Sequence, residues 1–226
     1  MAEIDVKAGG TFHKVTTINV KVAGVWQTVQ TGWVKVAGVW QEFFINFVPT
    51  VNSYTTPVVG ATETVPVGAT SVTVEVWGGG GGGARDSVGG SASACGGGGS
   101  GYCKHIVACT GGTTYTYTVG DGGAGKAATG DGDGTVGNAS SATVGGTTMT
   151  ANGGGPGKYG LVASSGGTAT GANTSNLTGN GQSGGSAPGA NPAVTHTGNN
   201  GKGGTASETV AAGSKGIVGC VQFSYT

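Results

Sequence analysis

A chain of 226 residues with ten basic and ten acidic side chains and no formal net charge lacks the basic surface by which proteins hold nucleic acid or an anionic membrane. No apolar run approaches the roughly 20 residues of a membrane-spanning helix. The N-terminal Met-Ala-Glu-Ile-Asp-Val-Lys has none of the hydrophobic stretch of a signal peptide, so action outside a cell is expected to require a route other than ordinary secretion. Glycine is the dominant residue, and it is unevenly placed: 7 of the 52 fall in the first 77 positions, leaving 45 after Trp77.

From the N-terminus, the first ordered signal is a repeat. Val20-Lys21-Val22-Ala23-Gly24-Val25-Trp26-Gln27 recurs as Val34-Lys35-Val36-Ala37-Gly38-Val39-Trp40-Gln41. Each copy predicts a β-hairpin, with alternating valines on one strand, Ala-Gly at the turn and Val-Trp-Gln opening the return strand. Thr31-Gly32 links the first copy to Trp33, which predicts a small meander that Phe43, Phe44, Ile45, Phe47 and Val48 continue to Pro49. Isolated hairpins are marginal in water. Trp26, Trp33, Trp40, Phe43 and Phe44 are therefore expected to form an assembly interface, buried against another sheet, domain or subunit.

Residues 50–56 predict a strand or connector ended by Pro57, so the chain divides into a hairpin-repeat region, 1–57, and a glycine-rich β domain, 58–226. Within the second part, Ser71-Val-Thr-Val-Glu-Val-Trp77 alternates almost strictly, placing Val72, Val74 and Val76 on one face. Further strands are predicted at 113–119, 141–144, 147–151 and 216–225. In the last, Ile217, Gly219, Val221, Phe223 and Tyr225 share a face. No helical periodicity is present, and the fold class is all-β, a meander followed by a β-sandwich-like domain.

Gly78 to Gly83 and the tracts between the later strands have two readings. Gly/Ser segments behave as flexible linkers. Alternatively, extended segments without side chains can approach closely and bond to one another in a polyglycine II arrangement. Strict Gly-X-Y periodicity is absent, which excludes a collagen triple helix.

The chemistry-bearing residues do not assemble into a reaction centre. Cys95, Cys103, His105 and Cys109 lack the paired spacing of a structural zinc site. Asp121, Asp131 and Asp133 lie in glycine turns without the further ligands of a calcium loop. His13, His105 and His196 have no motif context for a general base, and no Gly-x-Ser-x-Gly precedes a helix. The sequence predicts no enzyme, no metal, no cofactor and four reduced cysteines.

Val-Thr-Val-Glu-Val-Trp77 followed by Gly78 to Gly83, then Tyr-Thr-Tyr-Thr-Val-Gly120-Asp121-Gly122-Gly123-Ala124-Gly125, and a terminal Gly216-Ile-Val-Gly-Cys-Val221, together resemble the glycine-rich domain at the ends of bacteriophage tail fibres and minor tail proteins. The resemblance covers residues 58–226. It implies a virion protein of the tail, a trimeric fibre or tail tip, neighbouring tail proteins as partners, and a role in attachment to a host-surface glycan or protein. Some adhesins of this group carry a polyglycine sandwich with distal host-touching loops. A purely architectural tail, spike or decoration role is the other function it implies. Tyr102, Tyr159 and His196 are the expected surface contacts, because polar aromatic groups combine apolar area with hydrogen bonding.

Overall fold

The computed structural model describes residues 5–8, 11–14, 18–29, 31–45, 47–87, 94–160, 162–177, 201–205, 207 and 212–226. The N-terminal part is a series of hairpins. β1 (Asp5–Ala8) pairs with β2 (Thr11–Lys14), β3 (Asn19–Val22) with β4 (Val25–Thr28), and β5 (Thr31–Val36) with β6 (Val39–Ile45). Ala23-Gly24 and Ala37-Gly38 have positive φ at both positions, 49° and 86°, then 49° and 85°. That is the tight turn whose twist matches antiparallel strands.

The predicted meander is corrected here. β3–β4 and β5–β6 are separate two-stranded sheets. The Val29-Gln30 link between them carries none of the glycine or asparagine that a tight reversal demands, and the Val29 N–H instead closes the first hairpin on the Ile18 carbonyl at 2.7 Å.

The remainder begins with two five-stranded antiparallel sheets. One has the order β15-β10-β9-β16-β7 and the other β14-β13-β12-β11-β8. The strands are β7 (Thr50–Tyr54), β8 (Val58–Thr64), β9 (Ser71–Trp77), β10 (Tyr102–Ala108), β11 (Thr114–Val119), β12 (Ser140–Val144), β13 (Thr147–Ala151), β14 (Ala169–Thr170), β15 (Ser175–Leu177) and β16 (Cys220–Tyr225). Val72, Val74, Val76, Val221, Phe223 and Tyr225 from the first sheet meet Tyr115, Tyr117, Val119, Ala142, Val144 and Met149 from the second in one dry core. The alternation in β9 and β11 follows from this: valines and tyrosines point inward while Thr114, Thr116 and Glu75 do not. No helix occurs among the described residues.

Two boundaries move. β7 pairs with β16 from Val221↔Tyr54 to Tyr225↔Thr50, so the sandwich takes in residues that the sequence assigns to the hairpin region. The final strand starts at Cys220, not at 216. The preceding Ile217, Val218 and Gly219 belong to a second structural layer, made almost entirely of backbone.

That layer grows from one end of the sandwich. Residues 78–86, 120–126, 152–158 and 201–205 run away from it, and 95–101, 132–138, 163–168 and 213–219 return. The order of their mutual hydrogen bonds defines a lattice. The N–H groups of Gly78, Gly81 and Ala84 donate to Gly101, Gly98 and Cys95. Those of Gly79, Gly82 and Arg85 donate to Asn138, Thr135 and Gly132, and those of Gly80 and Gly83 to Ile217 and Ser214.

The carbonyls repeat every three residues as well. Gly79 and Gly82 accept from Gly154 and Gly157, Gly80 and Gly83 from Gly123 and Lys126, and Gly81 and Ala84 from Gly204 and Ser207. A repeat of three is the period of the polyproline II helix. Residues 78–85 are thus the central rod of a polyglycine II bundle, bonded to six surrounding segments. Hydrogen bonding between segments replaces the side-chain core that this half of the chain lacks, and it satisfies backbone groups that burial would otherwise orphan.

Glycine is required there by distance. A methyl placed on Gly81 would stand under 3.0 Å from the Gly155 carbonyl oxygen, and one on Gly80 would meet the Lys202 carbonyl in the same way. Where the segments need not touch, other residues appear: Asp121, Lys215, Asp133 and Lys158 lie on the outside, with Lys215–Asp121 at 2.6 Å and Lys158–Asp133 at 2.8 Å tying neighbours together.

The sandwich and bundle join at a small cluster of Trp77, Tyr102 and Cys220. All four cysteines are reduced. Burial pushes the Cys103 and Cys220 thiols up to about 12, which leaves almost no nucleophilic thiolate at neutral pH. With Cys95 also buried, native protein at pH 8 is expected to expose at most the partly buried Cys109 to a disulfide reagent, and all four after denaturation. Rapid reaction of a second thiol in the native state would contradict this packing.

Candidate functional site

The bundle has two ends. One is occupied by the sandwich; the other carries the turns between outgoing and returning segments. Because most of the bundle interior has no room for side chains, the sequence can vary in chemistry mainly on its flanks and at these turns.

At this free end the central rod leaves the glycine run as Ala84-Arg85-Asp86-Ser87. Arg85 is 3% exposed and its backbone bridges both Gly132 and Ser207. Its guanidinium Nη1 donates to the Gly130 carbonyl at 2.7 Å, which pins the 127–131 turn to the rod. The Ser87 N–H donates to Asp131 Oδ1 at 2.5 Å. Asp133 receives Lys158 Nζ and the Tyr159 N–H, both at 2.8 Å, and Tyr159 bridges to Ala94.

These bonds set the local electrostatics. The hydrogen bonds from Ser87 hold the Asp131 carboxyl below its ordinary range. Partial burial of Asp133 works against its charge, but the bonds from Lys158 and the Tyr159 N–H outweigh it and lower its pKa as well. Both acids are ionised and engaged at neutral pH, as anchors of turns. Among the described residues, the exposed surface that they support includes Ser87, the small residues 127–130, Tyr159, Val162 and Ala163. Among these, Tyr159 and Val162 are the large groups, 43% and 57% exposed.

Of the residues expected to meet a surface, Tyr159 is on this end. Tyr102 is not, and this is a correction. It lies at the opposite end of the bundle, 6% exposed, with its ring 5.1 Å from that of Trp77 and its hydroxyl donating to Glu75 Oε1 at 2.5 Å. Its glycine-rich flank suggests a loop, but β10 threads it into the junction. His196 lies outside the described residues.

Trp26, Trp33 and Trp40 are in the hairpins, 68%, 54% and 63% exposed within the chain. Phe43 and Phe44 are in β6. Among the described residues no group of three or more His, Cys, Asp or Glu side chains could hold a metal ion. Cys103 and His105 are dispersed along β10, and Cys95 sits in the bundle.

Sequence reasoning missed Ser87 and Val162, and it took Asp131-Gly-Asp133 as plain turns without seeing that they brace neighbouring loops. The available signal was compositional. Short clusters made mostly of non-glycine residues interrupt the glycine tracts at 84–88, 126–129 and 158–165, and they supply the free-end residues Ser87, 127–129, Tyr159 and Val162.

The combination of a β-sandwich with a bonded glycine bundle gives physical meaning to the family comparison. A family model described as a glycine-rich domain matches residues 55–226. The chain belongs to this glycine-rich domain family. No curated protein matches the chain. The matched span of the glycine-rich domain begins just after β7, whereas the folded unit includes β7 as the edge strand beside β16.

Proposed function

We propose that this glycine-rich domain protein is a structural component of a virion, placed at the end of a tail or tail fibre, and that its free bundle end contributes to attachment to the host surface. The observation that carries this reading is the division of labour in the bundle. A rod with almost no room for side chains holds several turns side by side at one end, and those turns, together with the flanks, are free to vary in chemistry without disturbing the lattice. Binding functions concentrate on loops presented by a rigid scaffold. The small residues of 127–130 with Tyr159 and Val162 suit a shallow contact with a surface glycan or protein, in which an aromatic ring supplies area and a hydrogen-bonding hydroxyl.

The resemblance to phage tail proteins supports the same placement. In this reading the protein acts by binding, as a homotrimer in the tail, and Trp26, Trp33, Trp40, Phe43 and Phe44 hold the N-terminal hairpins against a neighbouring tail protein. Electron cryo-microscopy of the particle tests it. Density for the chain at the distal end of a tail, with the 127–131 turn, Tyr159 and Val162 facing solvent, is the expected result. Density enclosed within a tube or baseplate would overturn attachment and leave an architectural role.

A further inference from the structure

The register of the second sheet sets its outward side chains in rows. Thr62 pairs with Thr116, Thr116 with Thr143, and Thr143 with Thr148, one row across β8, β11, β12 and β13. Thr118 pairs with Ser141, Ser141 with Thr150, and Thr150 with Thr170, the next row across β11, β12, β13 and β14. Successive side chains on a strand point to opposite sides. Since Tyr115, Tyr117, Ala142 and Met149 fill the core, the rows make the outer face.

Every node of this grid is an uncharged hydroxyl residue, exposed or half-buried, and every node but Ser141 also carries a methyl. The first sheet has no such face. There Lys104 pairs with Glu75, Glu75 with Gln222, and Ser224 with Val51 on the outward side, so the position of a strand in this sandwich does not by itself dictate threonine.

The grid is both regular and stiff. Neighbouring strands lie about 4.8 Å apart and alternate residues of one strand about 6.8 Å apart. Water oxygens joined at about 2.75 Å in tetrahedral directions repeat at about 4.5 Å within a layer of ice and at about 7.3 Å between equivalent layers. The two sets of repeats agree to within about a tenth. Sheet twist turns each strand against the next, so the match runs best over the adjacent central strands β11, β12 and β13. Threonine is restricted about χ1, and the hydroxyls of Thr143 and Thr148 share a hydrogen bond at 3.0 Å. The nodes are therefore held in place before contact, which lowers the cost of ordering them.

We infer that the outer face of the second sheet binds the surface of ice. Its hydroxyls and methyls order water at positions that continue the crystal. Periodicity selects this occupant: a flexible glycan or a folded protein has no use for a two-dimensional repeat of one side chain, and a crystal lattice does. The inference stands apart from the attachment reading, which rests on the turns at the free end of the bundle, and either can fail without the other.

The test follows the full chain as ice grows slowly through its solution. A protein with no affinity for ice stays in the liquid; the parent chain is expected to be enriched in the ice. Thr116→Lys with Thr150→Lys places long charged side chains on the grid without setting them opposite each other. A gap between surfaces forfeits their contacts, and the partition ratio is expected to fall at least about tenfold. Thr73→Lys with Ser53→Lys, the matching change on the outer face of the first sheet, is expected to partition as the parent does. Urea midpoints report whether each variant keeps its fold, and Thr148→Lys alone supplies the comparison if the paired change on the grid lowers the midpoint. Exclusion of the parent from ice, with or without retention on a neutral polysaccharide such as agarose, would overturn the inference. Undiminished partition of a folded grid variant, or equal loss in the first-sheet variant, would overturn it as well.

Discussion

Gly81→Ala is expected to destroy the bundle, at a cost of about 4 kcal/mol or more, beyond the usual range for overpacking a core. The added methyl would stand under 3.0 Å from a backbone carbonyl of Gly155. A flexible side chain could swing aside, but the Gly155 backbone is itself held: its N–H donates to Ser165 and its carbonyl accepts from Gly98. Moving one segment therefore breaks bonds to the next, and the strain spreads across the lattice. Ala124→Val, on an exposed flank of the bundle, adds more volume yet is expected to change stability by no more than about 0.5 kcal/mol. Urea denaturation of the two variants beside the parent measures the contrast. Equal midpoints for Gly81→Ala and the parent would mean that the segments do not pack as described.

Glu63→Ala is expected to cost about 3 to 5 kcal/mol, by disconnecting the two sheets of the sandwich. Glu63 is 5% exposed on β8. Its carboxylate accepts from Asn52 Nδ2 at 2.8 Å, from the Tyr225 hydroxyl at 3.0 Å and from the Tyr54 hydroxyl, all from β7 and β16 of the other sheet. Burial first, and then the nearby Glu63 carboxylate, push the Tyr54 and Tyr225 hydroxyls above their ordinary range. They therefore stay protonated and act as donors throughout the neutral and mildly alkaline region. Truncation leaves these partners facing a void with no acceptor, at about 1 to 3 kcal/mol for each buried orphan. Glu63→Gln keeps a carbonyl acceptor and is expected to lose about half as much. An alanine variant within about 1 kcal/mol of the parent would show that the sheets are held without this contact.

Local pattern was legible in the sequence where a strand has a dry face and a wet one. Val72, Val74 and Val76 announced β9, and the Tyr115–Tyr117 alternation announced β11. Ala-Gly between valine strands gave the hairpins. β10 was hidden because Tyr102, Cys103 and His105 are its buried residues while Ile106 is exposed, an order that hydropathy does not suggest. It arises because Tyr102 caps the junction beside Trp77.

The glycine tracts read equally as linker or as bundle, since both demand the same composition. What separates them is the bonding of Gly80 to Ile217 and of Gly82 to Thr135, contacts between residues far apart in the chain. The free end shows in the sequence only through the clusters that interrupt the glycine tracts, one of them around Tyr159. Nothing near Tyr102 tells which end of the bundle it will occupy.

The central claim is that the turns at the free end of the bundle make the contact with the host. It is tested most directly by binding purified chain to cells that the particle infects, alongside a variant with Tyr159→Ala and Val162→Ser. Both residues are exposed, so the fold, followed by its urea midpoint, should be retained. The account predicts saturable binding by the parent that blocks particle adsorption, and at least about tenfold weaker binding by the variant, the loss of about 1.4 kcal/mol. Absence of saturable binding by the correctly folded parent would contradict it, as would undiminished binding by the variant.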